Sequence, residues 1–173
     1  MKIAFDIRRV RSFGIGTYIR NVVRTLARLD RGHRYVLIGS PESFHEMGPL
    51  PQSFELESFP HPESSARNVF EFHQIVSRYR CDVVHVPHLF WRPRYVSCPY
   101  VVTVHDLLTF LQPRQEGSPL RRMVQDYLTR RVLHHAARIC AVSDFTKHDV
   151  MRVFGVPESR IEVTYNAIDE RFR

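Results

Sequence analysis

The sequence predicts a doubly wound α/β domain with a mostly parallel sheet of about seven strands and helices on both faces. Two observations carry that prediction. The chain opens with a buried strand, a glycine turn and an amphipathic helix, and short β-branched runs then alternate with helical patterns to its end. A third narrows the search for function: polar residues collect where the predicted strands leave the core, and in such sheets ligands sit beyond the carboxyl ends of the strands.

In the opening unit, Ile3, Ala4, Phe5 and Ile7 form a near-continuous apolar run, as a strand covered on both faces requires. Arg8, Arg9 and Arg11 end it, and Gly14-Ile15-Gly16 follows. From Tyr18 the period becomes helical: Ile19, Val22, Val23, Leu26 and Leu29 share one face, and Arg20, Arg24 and Arg28 lie on the other. A helix N-terminus behind two glycines is an anion site, because its first N–H groups lack partners and the helix dipole is positive there. By itself the pattern also fits a plain reversal of the chain. It lacks the third glycine of a dinucleotide fingerprint, Ile19 standing there, and the second strand ends at Gly39-Ser40 without an acid for a ribose.

Further along, Tyr35–Ile38 is a second buried strand and Pro41–Pro51 a loop. Phe54–Phe59 alternates apolar and acidic residues as a third strand with one open face. A helix over 66–80 presents Val69, Phe72, His73, Val76 and Tyr79, and Val83–Val86 is a fourth strand stopped by Pro87. An aromatic loop, Pro87 to Pro99, leads to a fifth strand, Tyr100–Val104, which ends at His105-Asp106. After a loop from Leu107 to Gly117, Pro119 opens a helix with Leu120, Val124, Leu128, Val132 and Ala136 spaced by four. That stripe is expected to pack on the sheet. Ile139–Val142 is the sixth strand, Ser143 caps a helix ended by Gly155 and Pro157, and Ile161–Tyr165 is the seventh.

Composition bounds the function. The 173 residues are 43% hydrophobic, enough for one core, and no apolar run approaches a membrane span. Asp6 and Arg8 interrupt the only stretch that could serve as a signal peptide. Cys81, Cys98 and Cys140 are widely spaced and read as reduced thiols of a cytoplasmic protein. The net charge is +7 and only Lys2 and Lys147 are lysines, so the basic character is arginine. That suggests an anionic partner. Nucleic acid is not expected, because no aromatic residues interleave with the arginines. A weak, peripheral contact with an anionic membrane surface is expected from Arg121, Arg122, Arg130, Arg131 and Arg138, with His134 and His135 between them.

His105-Asp106 is the sharpest candidate pair. The histidine can donate hydrogen bonds to sugar hydroxyls, or to phosphate when protonated, and Asp106 can orient it or cap the next turn. His85 and His88 do not suggest a metal, since alternation sets them on different faces and no Cys or carboxylate pair joins them. No Walker loop and no Ser-His-Asp nucleophile elbow is present.

The order of the pieces is more specific than any one of them. Gly14-Ile15-Gly16-Thr17-Tyr18 precedes a helix; Asp82-Val83-Val84-His85, Thr103-Val104-His105-Asp106-Leu107, Ala141-Val142-Ser143-Asp144-Phe145-Thr146, Phe154-Gly155-Val156-Pro157 and Asn166-Ala167-Ile168-Asp169 follow. This set resembles the N-terminal half of the retaining family 4 glycosyltransferases of the GT-B fold, over essentially the whole chain. The resemblance implies two facing Rossmann-like domains, the N-terminal one mainly for the acceptor and the C-terminal one for most of a nucleotide-sugar donor. On that basis Gly14 and Gly16 match the turn against the donor diphosphate, and His105 matches the catalytic histidine that contacts the donor sugar. Asp106, Tyr18, His88 and Ser143 are candidates for the acceptor or the cleft wall. The partners implied are a nucleotide sugar and a saccharide or lipid-linked acceptor, with no cofactor and no metal.

Residues 1–165 are then the Rossmann-like domain and 166–173 the start of an interdomain linker, the donor-binding half with its cationic pair and twin glutamates being absent. Such a chain is expected to be inactive alone. Asn166-Ala167 departs from the family's usual Asn-Gly at the linker turn. The alternative reading is a stand-alone α/β module that binds a nucleotide or another anion without catalysis.

Overall fold

A computed structural model of the chain describes residues 1–29, 31–61, 67–89, 96–111 and 118–167. Seven strands form one sheet: β1 (Lys2–Asp6), β2 (Arg34–Gly39), β3 (Phe54–Ser58), β4 (Val83–Val86), β5 (Tyr100–Val104), β6 (Arg138–Ala141) and β7 (Ile161–Val163). Every neighbouring pair is parallel, and the order is β3-β2-β1-β4-β5-β6-β7. The expected mostly parallel sheet is wholly parallel. Strand order reverses between β1 and β4, which makes their carboxyl ends the switch point where ligands of open α/β sheets bind.

The connecting helices are α1 (Phe13–Leu29), α2 (Pro41–His45), α3 (Arg67–Arg78), α4 (Leu108–Leu111), α5 (Pro119–His135) and α6 (Asp144–Phe154). Neighbouring residues on one strand feed different cores, so both faces of the sheet are covered. Ala4, Val36 and Ile38 pack with Phe72, Ile75 and Val76 of α3 and with Leu133, Val150 and Phe154 of α5 and α6. Phe5, Tyr35 and Leu37 pack with Ile19 and Val23 of α1. The edge strand β3 alternates between covered and open positions, as its apolar and acidic residues dictate.

Three predicted features come out differently, besides the short α4 inside the stretch read as a loop from Leu107. Helix α1 begins at Phe13, so Gly14 and Gly16 lie in its first turn and not in a turn before it. The stretch read as a loop from Pro41 contains α2, opened by Ser40, whose side chain accepts from the Ser43 N–H, and by a proline in the first turn. The third difference is in α5. Leu120, Met123, Val124 and Tyr127 are exposed, whereas Thr129, Val132, Leu133 and Ala136 are buried. A stripe spaced by four turns about 40° around a helix at each step, so Leu120 and Ala136 lie roughly 160° apart. Only the second half of the expected stripe can face the sheet.

Ser143 caps α6 as predicted, accepting from the Thr146 N–H at 3.1 Å, and Gly155 ends that helix at φ 68°. All three cysteines are free. Phe90, Trp91 and Tyr95 of the aromatic loop, and residues 168–173 of the expected linker, lie outside the described residues. Among the described residues no helix is long and apolar enough to cross a membrane.

Candidate active site

The residues after β4 and β5 meet α1, α4 and α5 around a pocket of about 150 Å³ lined by Ile15, His88, Leu89, His105, Asp106, Phe110, Gln125 and Thr129. Complete small-molecule sites run to roughly 300–1,000 Å³, so this pocket is smaller than a typical complete site. Ile15 brings the first turn of α1 to its edge.

His105 follows the last residue of β5. Its Nε2 lies 3.1 Å from the Pro87 carbonyl oxygen. A carbonyl can only accept, so Nε2 carries the proton. The Tyr18 ring meets the imidazole edge-on at 5.0 Å between centroids. Burial pushes the His105 pKa down, with the Pro87 carbonyl and Asp106 opposing it. The ring is therefore neutral near pH 7, and its remaining nitrogen, Nδ1, is an acceptor for a hydroxyl. The expectation that this histidine donates to a sugar hydroxyl is corrected here: its one N–H is given to the Pro87 carbonyl, and the nitrogen left over can only accept.

The other candidates divide. His88 and Asp106 line the pocket. Asp106 also accepts from the Leu108 N–H at 3.0 Å, opening α4, so of its two expected roles the structure displays the cap. Tyr18 does not line the pocket: its hydroxyl is 3.1 Å from Thr103 Oγ1, which is in turn 2.8 Å from His85 Nε2. Burial raises the Tyr18 pKa to about 12 and lowers that of His85 to about 4, so both are neutral across the physiological range. Ser143 is likewise outside the lining, its hydroxyl serving the α6 cap.

The two glycines also separate. A Cβ on Gly16 would lie 2.1 Å from the Val10 carbonyl oxygen, so its smallness is needed for contact with the protein's own backbone. Arg20 donates to that same carbonyl at 2.7 Å. Gly14 has open space where its Cβ would be. Of the pair, only Gly14 leaves room for a ligand at the helix N-terminus.

Beneath the pocket, Asp6 at the end of β1 is fully buried. Arg8 Nε and Nη2 donate to its two oxygens at 2.9 and 2.6 Å. His88 Nε2 is 3.5 Å from Asp6 Oδ2. Burial alone would raise the carboxyl's pKa, but the Arg8 charge and hydrogen bonds, helped by His88, hold it well below the usual carboxylate range. The Arg8 guanidinium sits over the rings of Phe59 and Phe72, so it is a buried counterion and not a surface cation.

Ile15, Leu89, Phe110, Gln125 and Thr129 did not stand out in the sequence as pocket residues. Gln125 and Thr129 carried a usable signal, two polar residues four apart on one side of a helix.

A profile of glycosyltransferase family 4 matches residues 14–172, nearly the whole chain. The chain belongs to glycosyltransferase family 4. This family 4 chain is similar in fold to a glycosyltransferase from Rickettsia africae, at 15% identity and a TM-score of 0.63, covering 97% of this chain and 43% of that one. It is similar to Anabaena HepE in complex with UDP and glucose, at 18% identity and a TM-score of 0.58, covering 98% and 45%. The UDP-GlcNAc 2-epimerase of Methanocaldococcus jannaschii matches at 17% identity and a TM-score of 0.52, covering 94% and 45%. An epimerase among these neighbours means that the fold alone does not choose the reaction. The family 4 chain spans less than half the length of each of these structures. No curated protein sequence matches it.

Proposed function

We propose that this chain is the acceptor-side half of a hexosyltransferase that moves a sugar from a nucleotide-diphosphate donor to a hydroxyl of a saccharide or lipid-linked saccharide, with retention. The observation that carries the reading is the meeting of His105 and the first turn of α1 at one pocket on the strand switch point. The UDP and glucose bound by HepE support a nucleotide sugar as the donor.

In this mechanism the donor diphosphate lies at the N-terminus of α1, over the open face of Gly14, where the helix dipole favours the charge released as the sugar leaves. His105 Nδ1 accepts from a sugar hydroxyl and fixes the ring over the floor of the pocket. Gln125 and Thr129 supply bonding groups on the acceptor side. The reaction draws on no cofactor, and a second Rossmann-like half closes the cleft and holds most of the donor. The setting is cytoplasmic, with peripheral contact at an anionic membrane surface.

The test is transfer of a radiolabelled sugar from a panel of nucleotide-diphosphate sugars, assayed with the chain alone and with a polypeptide carrying both halves. The chain alone should be inactive and the two-domain protein active. His105→Ala should lower turnover about 100-fold, the worth of one contact that strengthens in the transition state. Transfer by the chain alone would refute the two-domain reading, and unchanged turnover in His105→Ala would refute the role of His105. Binding without transfer by the two-domain protein would leave a binding module.

A further inference from the structure

We propose that Asp6, acting through His88, is a positioning residue for His105: the buried tie fixes the Pro87 carbonyl, and that carbonyl holds the imidazole proton on Nε2. The inference rests on the sugar-transfer reading for its purpose, but its geometry stands apart from it.

The Pro87 carbonyl belongs to the peptide unit that joins Pro87 to His88. That unit is planar, so the direction of its oxygen turns on the φ of residue 88, which the seating of the His88 side chain restricts. The His88 side chain is 1% exposed, and its Nε2 lies 3.5 Å from the buried Asp6 carboxylate, an electrostatic contact longer than a well-formed hydrogen bond. The carboxylate is itself held at both oxygens by Arg8, and at Oδ1 also by the Arg8 backbone N–H at 3.1 Å. The chain thus runs from the end of β1, through the first residues after β4, to the residue after β5. The last two of those strand ends line the pocket, and β1 lies beside β4 in the sheet.

The tautomer matters because the two forms of neutral imidazole present opposite groups. With the proton on Nε2, Nδ1 accepts from a hydroxyl. With the proton on Nδ1, the same position would donate, and a hydroxyl donor would meet a second donor. Burying an ion pair is costly, and an apolar strand end would hold β1 against β4 without it. Its placement one peptide unit from the group that selects the His105 tautomer gives that cost a use.

The experiment is a long-range proton–nitrogen correlation on the folded chain with 15N-labelled histidine, which separates protonated from bare ring nitrogens and needs no substrate. The wild-type chain should show His105 with the proton on Nε2. His88→Phe, which fills the space without the tie, should lower the preference for that tautomer roughly fivefold, the worth of one ordinary hydrogen bond. Asp6→Asn should move it in the same direction. His88→Gln, whose amide N–H can face the Asp6 carboxylate, should restore most of it. Circular dichroism identifies the folded variants, and His88→Phe and His88→Gln carry the comparison if Asp6→Asn does not fold. An unchanged His105 tautomer in folded His88→Phe overturns the proposal and leaves the tie as a brace between strands. Because no donor or acceptor is present, that result says nothing against sugar transfer, and a failed transfer assay says nothing against the tautomer.

Discussion

His85 should make this fold acid-sensitive in a range where most folds are at their most stable. Its Nε2 bonds to Thr103 Oγ1 at 2.8 Å, and its ring packs against Phe5 at 4.5 Å between centroids. Burial, with a smaller contribution from the charge of nearby His105, lowers its pKa to about 4. The unfolded chain leaves it near 6.5, so between these values the unfolded state binds the extra proton and stability falls as the pH falls. Evaluating the linkage for this one site gives a loss of about 2 kcal/mol between pH 7 and pH 5. With a urea dependence of about 2 kcal/mol per molar for a chain of this size, the unfolding midpoint should drop by roughly 1 M. His85→Gln keeps an amide near Thr103 and cannot titrate. Urea unfolding followed by circular dichroism at both pH values, on wild type and variant, isolates the site, since every other group titrates alike in the two proteins. Wild type should lose about 2 kcal/mol more than the variant on acidification. Equal losses would mean that His85 is protonated inside the fold, and the neutral Tyr18–Thr103–His85 chain beneath His105 would have to be redrawn.

Gly16→Ala should cost about 3 kcal/mol in urea unfolding, as overpacking against a backbone atom does, while Gly14→Ala should cost nothing and gain up to about 1 kcal/mol from helix propensity. Equal effects at the two sites would refute the close approach to Val10. Sedimentation with vesicles should show binding that needs anionic lipid and weakens as salt rises. Replacing exposed Leu120 and Met123 with serine should weaken it further, and a chain that stays in the supernatant at low salt would end the membrane reading.

The sheet was legible because buried parallel strands are written locally, in runs such as Tyr35–Ile38 and Tyr100–Val104, and each run is bounded by its own stop signals. His105 and Asp106 were legible for a related reason: polar residues directly after an apolar strand mark its ligand end. What escaped was whatever depends on rotation or distance. The α5 stripe looks continuous in sequence but drifts around the helix. Arg8 reads as a surface cation until its guanidinium is seen to lie over Phe59 and Phe72 and to pair with Asp6, two residues earlier. The approach of His88 to Asp6 spans most of the β1–β4 crossover and leaves no local trace. Gly16 shows the converse: it was singled out for a ligand, and the structure gives it a packing reason instead.

The arginines have a consequence for how the charge of this chain is felt from outside. Arg130 donates to the Phe154 and Val153 carbonyls at the end of α6, and His134 lies 2.8 Å from the Phe154 carbonyl. Arg160 donates to the His134 and Ala136 carbonyls at the end of α5. With Arg8 neutralised internally, several of the cations behind the formal +7 are committed to oxygens of the protein itself. Bonds to neutral carbonyls leave each guanidinium its full charge, so the formal +7 stands; what they fix is where that charge sits, at the seam between α5 and α6, and they leave fewer N–H groups free to bind a polyanion directly.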